Sequence, residues 1–450
     1  MVFIFFGLSN YNSNNSLKDF FIGNRELPWY LSMFSIVATE TSVLTFISVP
    51  GLAYRGDWTF LQLPIGYILG RVIVAQVLLP LYYNEGVISI YEVVGNKFGQ
   101  KMQKLSSGLF LVTRVLADGI RFLATAVIIQ AITSWDIHFS VLLIGICTII
   151  YSFSGGIKSI IWIDALQFII YFFSGLIVIF IVLNKFNYQN IFNILAQENK
   201  TTIFDFSGNP FFHSMNFVSA ILGGAIFSIA SHGTDYMMVQ RCLACPDLKS
   251  AKKAMIGSGF FVFVQFFIFL FAGSLIYVFY NGMQIQKDRE FSQFIIDSVP
   301  IGLKGVILAG VISAAMSTLS SSINSLSSTV AIDWLKTKSN QLFKIRSLTI
   351  FWGIVLMLIA IVFDEGDEAI VLVGFKIASY TYGGLLMLFL ATKITFIRNS
   401  KILLIAFITS LASVFIFDQL KISWTWLVFL STIVGLTVSI VFETFIKKNE

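Results

Sequence analysis

Apolar stretches of roughly 20 residues recur along the whole chain, each long enough to cross about 30 Å of hydrocarbon as a helix. They fall at about 29–54, 59–83, 105–132, 138–153, 159–184, 215–237, 254–280, 303–332, 347–364, 369–392, 401–418 and 424–446. The runs are continuous, which predicts helices; a membrane barrel would show short alternating segments. Residues 1–9 (MVFIFFGLS) add an apolar stub, too short to span and lacking the basic flank of a signal peptide. The pattern predicts an all-α integral membrane protein of about 12 transmembrane helices plus that N-terminal stub.

The polar positions organise these spans. A loop at about 185–214, rich in Asn and Phe, separates five spans from the next five. This spacing is compatible with two inverted repeats, 29–184 and 215–392. A stub and cytoplasmic segment (1–28) would precede them, and two accessory spans (393–450) would follow. In such a layout the first helix of each repeat is interrupted near the midplane and lines a site. The first span of block one gathers Thr39, Glu40, Thr41, Ser42 and Thr45 at its middle. Glu40 is costly there unless it faces water or a partner, and hydroxyl and β-branched residues weaken helical preference. A broken helix fits this cluster; a polar contact between helices also fits it. The first span of block two carries Gly223, Gly224 and then Ser231-His232-Gly233-Thr234-Asp235, where Gly233 is a natural break point. His232 reads equally well as a structural histidine or as a functional one.

Span eight reads VISAAMSTLSSSINSLSST over residues 311–329. Ala314, Ser317, Thr318, Ser321, Ser325 and Ser328 recur at spacings of three and four and share one face, flanked by Ser320 and Asn324. Uncharged oxygens on one stripe suit a hard monovalent cation that must bind and leave, whereas a divalent ion would demand more carboxylates. Small residues also permit close helix packing, and the helix alone does not separate the two readings. Asp164 shifts the balance. It lies one to two turns inside span five, whose only nearby cation is Lys158. A cation shared with the hydroxyl stripe would satisfy both.

Composition agrees with a membrane protein. Of 450 residues, 56% are hydrophobic and 12% charged, against about 25% charged in soluble domains. The net charge of +6 has a membrane explanation, and nucleic-acid binding is excluded. When loops are assigned alternately to the two sides, most Lys and Arg fall on one, including Lys18, Lys97, Lys158, Arg241, Lys249, Lys252, Lys253 and Lys336. That bias places residues 10–28 and the C-terminus in the cytoplasm, across the plasma (inner) membrane. Cys242 and Cys245 form a lone CxxC without further ligands and are read as structural. No HExxH, GxSxG or phosphate-cradling loop is present, which argues against an intramembrane enzyme. No filter loop suggests a channel.

Five segments, taken in order, resemble the sodium:solute symporter family from about residue 18 to 392: DFFIGNRELPWY, SVPGLAYRGDW, GGIKSIIWIDALQ, GTDYMMVQRCLA and AAMSTLSSSINSLSSTVAIDW. The resemblance, nearest to the sialic acid and monocarboxylate type, implies a LeuT-like inverted-repeat fold and Na+-coupled import of a small solute by alternating access. It implies a primary sodium site from the carbonyls of Ala38, Thr41 and Ala314 and the hydroxyls of Ser317 and Thr318. A second sodium would take Asp164, Ser317, Ser320 and Ser321. Substrate positions would include Thr39, Glu40, Ser42, Thr45, Gln62, Arg121 and His232. Arg114 and Arg121 of span three are candidates to clamp a carboxylate, and Lys376 to pair with Glu40 or to snorkel outward. Relatives begin with a further helix where this sequence shows only the stub. The expected cargo is an organic anion such as a monocarboxylate or sugar acid, carried by a monomer. The alternatives are a neutral sugar or an amino acid, with an ion channel a distant third.

Overall fold

A computed structural model describes residues 16–338, 341–362 and 370–449, with no strand among them. The stub at 1–9 lies outside these residues. The helices are α1 (Leu17–Ile22), α2 (Trp29–Glu40), α3 (Val43–Arg55), α4 (Gln62–Val77), α5 (Leu79–Glu85), α6 (Tyr91–Phe98), α7 (Gln100–Thr133), α8 (Ile137–Lys185) and α9 (Tyr188–Gln197). They continue with α10 (Phe217–Gly233), α11 (Tyr236–Leu243), α12 (Leu248–Phe279), α13 (Glu290–Ser298), α14 (Ile301–Thr329), α15 (Leu342–Val362), α16 (Ile370–Lys393), α17 (Ser400–Gln419) and α18 (Trp424–Asn449).

Among the described residues eight helices are long and apolar enough to cross a membrane, and two bent pairs bring the number to ten. The two further spans of the expected twelve would have to come from α7 and from a division of α8. The 34-residue α7 reaches about 51 Å at 1.5 Å per residue, but Arg114, Asp118 and Arg121 in its middle lower its apolarity. The 49 residues of α8 are two span-length pieces divided at Gly156. Gly156 has φ +56°, and a Cβ there would stand 2.8 Å from the Phe20 carbonyl oxygen, so neither the backbone nor the space admits a side chain.

Both predicted interruptions are present. The pair α2 and α3 bends by 62°, and α10 and α11 by 64°. At the first break Thr41 leaves helical geometry (φ −83°, ψ 86°). At the second, the Asp235 carboxylate caps α11 by accepting from Met237 N at 3.0 Å. Close backbone approach fixes α4 against α10: a Cβ on Gly66 would meet Ala225 N at 2.8 Å, and one on Gly224 would meet the Leu63 carbonyl at 2.7 Å. The hydroxyl-rich stretch 313–329 of α14 is buried throughout. It packs on α8, where Tyr151 donates to the Met316 carbonyl at 2.9 Å.

One loop assignment needs correction. Arg241, counted with the cytoplasmic loops from sequence, is fully buried in α11.

Candidate functional site

The first broken helix and the serine helix meet at Thr318. Its hydroxyl donates to the carbonyls of Ala314 at 3.3 Å and Thr39 at 3.4 Å. A helix break exposes carbonyls because the next turn no longer supplies their donors, so oxygens from α2 and α14 converge here. Ala38 is buried beside this break, and the Thr41 hydroxyl turns the other way, donating to Gln265 Oε1 at 3.0 Å. Ser317 lies on the same face but bonds elsewhere, donating to Asp164 Oδ1 at 2.7 Å.

Asp164 has a partner the sequence reading did not foresee. Arg241 reaches it from α11 at 3.4 Å, both side chains being fully buried. The same guanidinium donates from Nε to Ser35 Oγ at 2.9 Å and also bonds Ser321 Oγ and the Met237 carbonyl. Ser35 donates to Asp164 at 2.5 Å, and Thr39 bonds Ser321 at 3.0 Å. Ser320 turns back to the Ser317 carbonyl at 3.1 Å. Asp164 therefore has a protein counter-charge, Arg241, among the residues expected to hold a second sodium. Ser325 bonds within its own helix, and Ser328 contacts Tyr236 OH at 2.9 Å.

Beside Thr318 lies a cavity of about 50 Å³ lined by Glu40, Ser42, Thr45, Arg114, Arg121, Ser231, His232, Phe227 and Tyr382, among others. A smaller hollow of about 10 Å³ joins Ser42, Asp118 and Arg121 to Thr318 itself. Small-molecule sites usually enclose roughly 300–1,000 Å³, so this cavity must open to admit a solute.

The arginines around it all have acid partners, and Asp118 lies within ion-pair distance of both Arg114 and Arg121. Glu40 is paired with Arg71 of α4, and His232 Nε2 lies 3.5 Å from the same carboxylate. Arg114 meets Asp235 at 2.9 Å and Tyr382 OH at 2.5 Å. Arg121 meets Asp118 at 3.2 Å. Lys376 is not part of this set; it lies 3.5 Å from Asp418 and is 43% exposed. Two predicted substrate positions lie outside the cavity. Gln62 spends its amide on the carbonyls of Thr59 (3.0 Å) and Met215 (2.8 Å), tying the start of α4 to the loop before α10. Thr39 faces Asp164 and Ser321.

Sequence reasoning passed over Arg71, Asp118 and the inward role of Arg241. Arg71 had a legible signal, since an arginine in the middle of span two is as costly as Glu40 and marks a site by the same rule.

Two broken helices, facing a hydroxyl-lined third helix across a small charged cavity, are the architecture of the LeuT-like secondary transporters. The sodium:solute symporter family model matches residues 20–399, and the chain belongs to that family. It is 25% identical over 347 residues to the human sodium-coupled monocarboxylate transporter 2, covering 74% of this chain and 55% of that protein. It is 28% identical over 358 residues to the sodium/sialic acid symporter NanT of Aliivibrio fischeri, covering 75% of this chain and 70% of that protein. The chain thus spans about half the length of the first of these curated relatives. The solved structure of a Na+-coupled sialic acid symporter in a substrate-bound outward-open state superposes with a TM-score of 0.89 at 22% identity, covering 99% of this chain and 95% of that one. This likeness establishes the fold.

Proposed function

We propose that the protein imports a small organic carboxylate together with sodium, by alternating access. The observation that carries this reading is the shared hollow: Thr318, a proposed sodium ligand, and Ser42 and Arg121, proposed solute contacts, line the same 10 Å³ space. A sodium ion ordering the Thr39–Ser42 break would shape the wall the solute meets, and that coupling is reciprocal. Arg121 favours an anion. It is 18% exposed, its Nε has no hydrogen-bond partner, and a guanidinium edge can grip a carboxylate bidentately. The monocarboxylate and sialic acid relatives point the same way. One chain contributes both breaks and the whole cavity, so a monomer suffices. The lysine bias orients residues 16–28 and the C-terminus towards the cytoplasm.

Melting the purified protein against panels of carboxylates, sugars and amino acids, with and without sodium, tests the proposal. A ligand at a hundred times its Kd adds about 2.7 kcal/mol of stability. A carboxylate should raise the melting temperature in sodium and not in potassium. A shift from sugars or amino acids alone would overturn the substrate class, and a shift indifferent to sodium would overturn the coupling.

Arg121→Gln should raise the apparent KM for the carboxylate at least tenfold, about 1.4 kcal/mol, with little change in sodium affinity. Asp118 keeps Arg114 at 3.5 Å and the Ser322 hydroxyl, so the variant should still fold. An unchanged KM in proteoliposome uptake would remove Arg121 from the site.

A further inference from the structure

A groove of about 780 Å³ lies outside the solute cavity, where the first turns of α2 and α12 meet. Its wall is Trp29, Ile256, Gly257 and Phe260, and its rim is Lys249, Lys252 and Lys253. On α12 these residues fall at intervals of three and four, which stacks lysines above apolar residues on one stripe. Gly257 lets α2 come close, since a Cβ there would lie 2.6 Å from Met33 Sδ. The wall remains open, with Trp29 36% and Phe260 55% exposed.

The lysines stand against the local field. Lys249 occupies the first turn of α12, at the positive end of its dipole, where an acid is favoured and a cation costs stability, and Lys252 and Lys253 follow one turn on. The acid beside them, Asp247, is committed to capping the helix, accepting from Ser250 N at 2.7 Å. Lys252 reaches Gln76 Oε1 at 2.9 Å, a neutral partner, and Lys253 lies 5.7 Å over the Trp29 ring. A positive helix end, three cations and an apolar wall at the edge of two spans complement one molecule: an acyl chain with an anionic head.

We propose that this groove binds an anionic phospholipid, with its phosphate among Lys249, Lys252 and Lys253 and its chain along Trp29, Ile256 and Phe260. The occupied groove would pin the N-terminal end of α2, whose other end carries the Thr39–Ser42 break, to α12. A zwitterionic lipid is disfavoured because it brings its own cation to the lysines. Free phosphate would leave the apolar wall unused.

Melting the detergent-purified protein with phosphatidylglycerol, phosphatidylcholine or inorganic phosphate reads this directly, and native mass spectrometry counts the bound lipid. Phosphatidylglycerol should stabilise the protein and remain bound, while the other two should not. The variant Lys249→Gln/Lys252→Gln/Lys253→Gln should bind phosphatidylglycerol about a hundredfold more weakly, and each single variant about fivefold more weakly. The single variants keep the series readable if the triple variant does not fold. Lys336→Gln/Lys338→Gln, away from the groove, should bind as the parent does. Equal stabilisation by phosphatidylcholine, a shift reproduced by phosphate alone, or a series in which affinity does not change would each overturn the proposal.

Discussion

Replacing Ser317 and Thr318 together by alanine should abolish sodium-stimulated uptake while leaving the bundle assembled. The expectation rests on what each hydroxyl does. That of Thr318 makes only long contacts, 3.3 and 3.4 Å, to two carbonyls, so its loss costs the fold little and removes one oxygen from the convergence of α2 and α14. That of Ser317 supports Asp164 at 2.7 Å, so its loss leaves a buried acceptor short of a donor, at about 1–3 kcal/mol. The single variants should therefore separate: Ser317→Ala lowers both melting temperature and sodium affinity, and Thr318→Ala lowers chiefly the latter. Thr318→Ser keeps the oxygen and should retain coupling. Sodium titration of uptake in proteoliposomes, with a melting curve for each variant, measures all of these. A double variant with the parent's sodium dependence would end the assignment of this helix to sodium.

Arg241→Gln should be the most destabilising single change in the core. Removing one partner of a buried ion pair strands the other, which costs about 3–5 kcal/mol. Here Asp164 would retain only hydroxyls from Ser35, Thr39 and Ser317. Arg241→Lys should not rescue it, because the guanidinium serves Ser35, Ser321, Asp164 and the Met237 carbonyl at once and an ammonium cannot match that fork. Arg241→Gln/Asp164→Asn removes both charges and should recover much of the loss. Melting temperatures of the four proteins decide the matter. If Arg241→Gln matches the parent, the pair does not hold α11 to α8. Sodium should also protect Arg241→Gln more than it protects the parent, since the variant vacates the position beside Asp164 that the arginine fills.

The spans and both breaks were legible because their causes are local. Apolar runs of span length identify the helices, and Gly233 and the Thr39–Thr45 cluster mark where a helix cannot continue. The division of α8 at Gly156 was legible as a gap between two runs. The partners were not. Arg241 closes a span in sequence and reads as a cytoplasmic anchor; only the 64° bend before α11 turns it inward to a carboxylate 77 residues away. Gln62 suffered the opposite error: its place on span two suggested the cavity, yet the fold of residues 202–216 over the start of α4 claims its amide. Charge matching in the interior depends on which helices touch, and spacing along one helix does not carry that information.

The balance of four arginines, Arg71, Arg114, Arg121 and Arg241, against four acids, Glu40, Asp235, Asp118 and Asp164, bears on voltage. A carrier whose moving walls are neutral contributes no gating charge of its own, so the current through the membrane is the charge of the cargo. One sodium with one monocarboxylate would cross silently, insensitive to the roughly 2.3 kcal/mol that 100 mV applies to each elementary charge. The same protein carrying a neutral solute would be electrogenic, and a voltage clamp would tell the two apart before any substrate had been chemically identified.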